Sequence, residues 1–186
     1  MMFVANLISF FVGTAASYFV WWVLNHKWVP KIDFSAEICR YLIGEKELCV
    51  VAFKNTGRRD IIDAEVLVRI GVKEFNDSSG WQYFNVKTNS SRLPIVSSRK
   101  RALIRIFDQR DSINFYDPPS KGLRDEVEKC DTLNDILKIG SDSVVEIHVF
   151  GYDKFSGARQ HHLSPRYCAS DIRTGRFEVL NIVSDK

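Results

Sequence analysis

The four cysteines, Cys39, Cys49, Cys130 and Cys168, form no C-x-x-C pair and have no spacing suited to zinc, so a structural metal is not expected. No Gly-rich phosphate loop occurs, and the serines of Thr88-Asn-Ser-Ser91 and Ser97-Ser98 lack the G-x-S-x-G setting of a nucleophile elbow. Neither an enzyme nor a cofactor-binding protein is expected. The excess of basic over acidic side chains is only +3, too small for a nucleic-acid-binding domain. Internal repeats and long linkers are also missing. The 186 residues therefore suit one domain and a terminal appendage.

Charge is missing altogether between Met1 and Asn25. The run from Phe3 to Leu24 approaches the roughly 20 apolar residues a helix needs to cross a bilayer. A cleavable signal peptide is the competing reading, but there is no basic n-region and the apolar run continues through Tyr18 to Leu24. Residues 1–25 are thus expected to form one transmembrane helix, followed by a juxtamembrane linker, 26–31, and a domain over 32–186. No Lys or Arg precedes the helix, whereas His26, Lys27 and Lys31 follow it. Positive flanks stay inside, which predicts a single-pass protein of the inner (plasma) membrane with a cytoplasmic C-terminal domain. Trp21, Trp22 and Trp28 join Lys27 and Lys31 as the expected membrane-interface residues, with lipid as their partner. Ala5, Ser9, Gly13 and Ser17 recur every fourth residue, a stripe of small side chains that predicts helix–helix contact and a homo-oligomer.

Beyond Pro30 the sequence breaks into short alternating runs: 32–42, 47–54, 61–72, 81–86, 102–107, 144–152, 158–163 and 176–183. Turn-forming residues separate them, including Asn55 to Asp60, Asn76 to Gly80 and Phe155 to Gly157. About eight strands with short turns predict a β-sandwich. Pro118-Pro119 interrupts the series, and Leu123 to Cys130 and Leu133 to Ile139 have helical spacing. One or two short helices are expected there, on the sandwich surface. Cys39 and Cys49 lie in two adjacent strand runs, where a disulfide is geometrically feasible but is disfavoured by a reducing cytosol.

Several motifs bring a family into view. Val144-Val-Glu-Ile-His-Val-Phe-Gly-Tyr-Asp153, Ser156-Gly157, Arg166-Tyr167, Asp171-Ile172 and Gly175-Arg-Phe177 resemble the end of the cytoplasmic domain of inward-rectifier potassium channels. Val50 to Gly57 followed by Ile61 to Val68 is similar to that domain's early strands. The resemblance implies a mainly β, immunoglobulin-like sandwich and assembly as cytoplasmic rings. The spacing departs by one residue before Phe177, and the chain has neither a filter loop nor a second spanning helix, so selective potassium conduction is not implied.

Three further clusters remain. Arg99, Lys100 and Arg101, with Arg92 and Arg105 nearby, form the densest positive run and are candidates for contact with an anion or headgroup; Arg58-Arg59 is a weaker cluster. His161-His162 reads as a strand pair pointing to opposite faces, not as a metal site. The expected function is a membrane-anchored oligomeric sensor or effector, for example in bacterial anti-phage defence, whose domain receives a small-molecule or protein signal and passes it to the membrane by forming a pore or perturbing the bilayer. The alternative is a passive tethered adaptor that recruits a protein partner.

Overall fold

A computed structural model describes residues 2–76, 79–88, 91–111 and 113–183, with side chains from residue 6 onward except at Asn25. Asp77 and Ser78 of the expected turn at 76–80, and Asn89 and Ser90 of the Ser-rich run, lie outside it. Helix α1 runs from Met2 to His26. Within it Asn6–Leu24 is long and apolar enough to cross a membrane, and no part of that stretch is buried by the rest of the chain. The helix stops where polar residues follow Leu24 and Pro30 lies ahead, since the residue before proline is driven to extended backbone.

The remainder is mainly β. In the first sheet, β3 (Lys46–Asn55) pairs antiparallel with β2 (Ile38–Ile43), β1 (Ile32–Phe34) and β7 (Arg101–Asp108), and β11 (Ile172–Thr174) adds parallel to β2. In the second, β4 (Ile61–Lys73) is central: β9 (Asp142–Asp153) lies on one side, and β5 (Trp81–Val86) and β6 (Arg92–Val96) share the other. Strand β10 (Arg159–Leu163) extends the sheet beyond β9, and β8 (Phe115–Asp117) beyond β5. A small hairpin, β12 (Arg176–Glu178) and β13 (Asn181–Val183), closes the chain.

Alternation explains how the two sheets share one core. On β4, Ala64, Val66, Val68, Ile70 and Val72 turn to one face and are buried, and Val51, Phe53 and Ile104 of the first sheet join them in the same cluster. Burial of each Val, Ile or Phe side chain here contributes about 1.5–3 kcal/mol. This arrangement is consistent with a β-sandwich. Tyr167, fully buried, ties the layers by donating its hydroxyl to the Ser35 carbonyl at 2.7 Å, and burial pushes its pKa up to about 12.

Some expectations change in detail. The run 32–42 is two strands broken at Ser35, whose hydroxyl bonds the Glu37 carbonyl, and 176–183 is a hairpin that turns at Val179 in the left-handed region. Helices α2 (Lys121–Val127) and α3 (Leu133–Ile136) form where expected, but they do more than cover the surface: Leu123, Val127, Leu133 and Ile136 enter the main core. Cys39 and Cys49 do not face one another. Cys49 points into the main core, whereas Cys39 packs with Val50, Ala52 and Phe177 on the outer face under the terminal hairpin, and both are free thiols.

Candidate functional site

One end of the sandwich is occupied by α1 and the linker that follows it. The turn between β3 and β4 clasps this linker: the Thr56 and Gly57 amides both donate to the Lys31 carbonyl, at 2.7 and 3.3 Å. Gly57 fits because it has no side chain. A Cβ there would stand 2.4 Å from both the Lys31 nitrogen and the Val29 carbonyl oxygen. Asn55, fully buried, fixes the turn by donating to the carbonyls of Arg59, at 2.8 Å, and Val96, at 3.0 Å. Its backbone meets the β6–β7 turn, with Arg99 N donating to Asn55 O at 2.6 Å. Three loops and the helix end therefore form one hydrogen-bonded body.

Arg59 lies at its centre. One amino group donates to Asp153 Oδ2 at 2.9 Å, and the other donates to the Leu24 carbonyl, in the last turn of α1, at 2.7 Å. The guanidinium also covers the Phe155 ring at 4.1 Å. Its placement has a double electrostatic logic: a cation suits the carbonyl end of a helix, and a buried carboxylate needs a paired cation. Asp153 ends β9 and is 1% exposed. Burial pushes its pKa up, but hydrogen bonds from the Ser156 hydroxyl, the Phe155 amide and Arg59 outweigh that and hold it below the usual carboxylate value. The Arg59 side chain thus joins the second sheet, through β9, to the helix.

The predicted interface residues gather around this junction. Trp21, Trp22 and Trp28 are all exposed. Lys27 lies over the Trp22 ring at 5.9 Å, Arg58 over Trp28 at 5.7 Å, and Lys31 pairs with Asp33 at 3.6 Å. Arg99 and Lys100 occupy the turn bonded to Asn55, at the same end of the sandwich. Arg101 is diverted, its guanidinium donating to the Phe177 and Val179 carbonyls at 3.3 Å, where it holds the terminal hairpin. Ser9, Gly13 and Ser17 lie exposed along α1, and the side chain of Ala5 is outside the described residues. Sequence reasoning ranked Arg59 low and missed Asp153. The available signal was Asp153 three residues before Ser156-Gly157, a pattern in which a carboxylate caps a tight turn.

The histidines form a separate cluster on β9 and β10. His161 and His162 point to opposite faces, as expected, and His161 Nε2 lies 3.0 Å from Nδ1 of His148 while stacking on Phe150 at 4.5 Å. His148 and His162 have their pKa values lowered, first by burial and then by neighbouring positive charge. Among the described residues no three His, Cys, Asp or Glu side chains are grouped to hold a metal ion. No protein-family model matches this chain, and no curated protein matches it.

Proposed function

We propose that the protein is a membrane-anchored oligomeric sensor or effector whose β domain, an immunoglobulin-like sandwich on the cytoplasmic side, passes a signal through Arg59 to the membrane helix. The observation that carries this reading is the shared guanidinium: the same group that neutralises Asp153 at the end of β9 also holds the Leu24 carbonyl of α1. A passive tether needs only a flexible chain between anchor and domain, whereas this junction is buried, charged and specific. A shift of β9 moves Asp153, and Arg59 transmits that shift to the helix. The helices associate through Ala5, Ser9, Gly13 and Ser17, and the tryptophans and Arg99, Lys100, Lys27 and Lys31 meet headgroups at the inner surface. The output is a pore or a local perturbation of the bilayer.

The test is reconstitution of the full chain into dye-loaded liposomes, with assembly followed in parallel by native mass spectrometry. Oligomers that release dye, and that release less when Arg59 is replaced by Ala, support a sensor with a coupled helix. Oligomers that never leak, with any soluble small-molecule fraction added, favour the adaptor.

A further inference from the structure

A cavity of about 550 Å³ opens between the free edge of β7 and the end of β5. Two β-bulges frame it. The β3–β7 register shifts between Cys49 and Val50, leaving Ile106 as the extra residue, and the β5–β8 register shifts between Asn85 and Val86, leaving Tyr116 extra. Bulges of this kind re-aim neighbouring side chains; here Ile106 lines the cleft, as does Val86 beside the second shift.

The walls have opposed character. Phe107 and Ile113 supply an apolar surface, Lys87, Arg105 and Arg110 supply three cations, and Asp108 and Asp111 supply two carboxylates. Asp108, also in the wall, binds Arg110 through Nε at 2.7 Å and Arg105 at 3.1 Å, and the Arg110 hydrogen bond is the main reason its pKa falls to about 2. It stays ionised and holds the two guanidinium groups in place, their side chains still 39% exposed. Among the described residues the Lys87 ammonium has no partner, and the Thr88 hydroxyl, in a residue 5% exposed, has no hydrogen-bond partner either. A buried hydroxyl without a partner is unfavourable, and a bound acceptor would satisfy it.

We infer that this cleft binds a small soluble organophosphate, with its phosphates on Lys87, Thr88 and the two arginines and its apolar part against Phe107 and Ile113. The volume lies in the range of small-ligand sites. A lipid headgroup has the same chemistry but is excluded by position. Asp108 pairs with Leu48, and the strand then runs seven residues to Asn55 at the helix-bearing end, roughly 23 Å at the ordinary rise per residue. The inference supplies the signal for the sensing reading above and rests on it only for its biological meaning, because binding and helix coupling are measured separately.

The full chain, purified in an uncharged maltoside, is titrated with inorganic pyrophosphate, with ADP and with phosphatidylglycerol added to the micelles, and binding is read by isothermal calorimetry. Pyrophosphate and ADP are expected to bind, ADP more tightly, with affinity falling as NaCl rises. Lys87→Gln and Thr88→Val should each weaken ADP about tenfold or more, the loss of one charge-assisted or buried hydrogen bond, without lowering the melting temperature. Lys154→Gln, at the opposite end of the sandwich, should change nothing. The inference is overturned if neither phosphate compound binds, if binding is unaltered in both variants, or if phosphatidylglycerol competes with ADP for the same cleft. A negative result here leaves the dye-release test of Arg59 unaffected, so the two readings fail independently.

Discussion

Arg59 and Asp153 form an ion pair at 2.9 Å with almost no access to water: the arginine side chain is 11% exposed and the aspartate 1%. The pair joins the loop after β3 to the end of β9, 94 residues apart in sequence. Such a pair adds little to stability compared with apolar residues of the same size, but removing one partner strands a buried charge. Its position at the base of the helix is the ground for the coupling proposed above.

Arg59→Met should therefore destabilise the domain by about 3–5 kcal/mol, whereas Arg59→Met combined with Asp153→Leu should recover much of that loss. Denaturant unfolding of the full chain in detergent, followed by tryptophan fluorescence, measures both. A single variant that unfolds at the wild-type midpoint would show that the carboxylate is satisfied without the guanidinium.

The linker clasp offers a second, purely steric prediction. Gly57→Ala places a methyl group against backbone atoms of Val29 and Lys31 that cannot swing away, so the Lys31 carbonyl should lose its two amide donors. Limited proteolysis between residues 27 and 32 should accelerate while the core melts almost normally. Gly80→Ala, which meets nothing within 4 Å, is the control and should cut at the wild-type rate.

A third prediction concerns pH. His148 is buried, and the groups facing it are Arg69, His161 and Glu146; burial comes first among the causes that lower its pKa, and only Glu146 opposes them. His162 shifts the same way. A histidine held neutral in the fold binds fewer protons than in the unfolded chain, so its contribution is full above about 6.5 and is lost as pH falls through that value toward the folded pKa. Melting temperature should fall between pH 7 and pH 5. In His148→Gln the slope over that interval should shrink, and an unchanged slope would assign the effect to other groups.

Much of this architecture was legible in the sequence, and the misses have physical causes. Strand β5 coincides to the residue with the run Trp81 to Val86, which is bounded by turn formers and matches the strand period. Strand β6 is not among the expected runs, and Pro94 within it removes a ladder donor. It is mostly exposed and pairs only with one end of β4, a place where proline is tolerated. Strand β11 is three residues long and pairs with β2 across more than 130 positions of sequence, a contact that no local pattern encodes. The same holds for the site. Trp21, Trp22, Lys27 and Lys31 announce themselves by position beside an apolar helix, but Arg59 gains its meaning only when β9 and the helix end arrive from opposite parts of the chain.

The small-residue stripe yields the last prediction, and the geometry of α1 sharpens it. A Cβ at Gly13 would meet nothing within 4 Å, and Ser9 and Ser17 are exposed on the same helix. Leucine at position 13 therefore has no steric cost within one chain and improves helix propensity, so any loss it causes must arise between chains. If the stripe lets two backbones approach closely, Gly13→Leu inserts bulk at the contact and should reduce self-association severalfold, whereas Val12→Leu, one position around the helix, should do much less. The β domain can support assembly through its own contacts, so the direct measurement fuses residues 1–28 to an unrelated dimerisation reporter in a bacterial inner membrane. Equal reporter output from wild type, Gly13→Leu and Val12→Leu would mean that the small residues reflect composition alone, and the tethered-adaptor reading would then account better for an anchor that does not assemble.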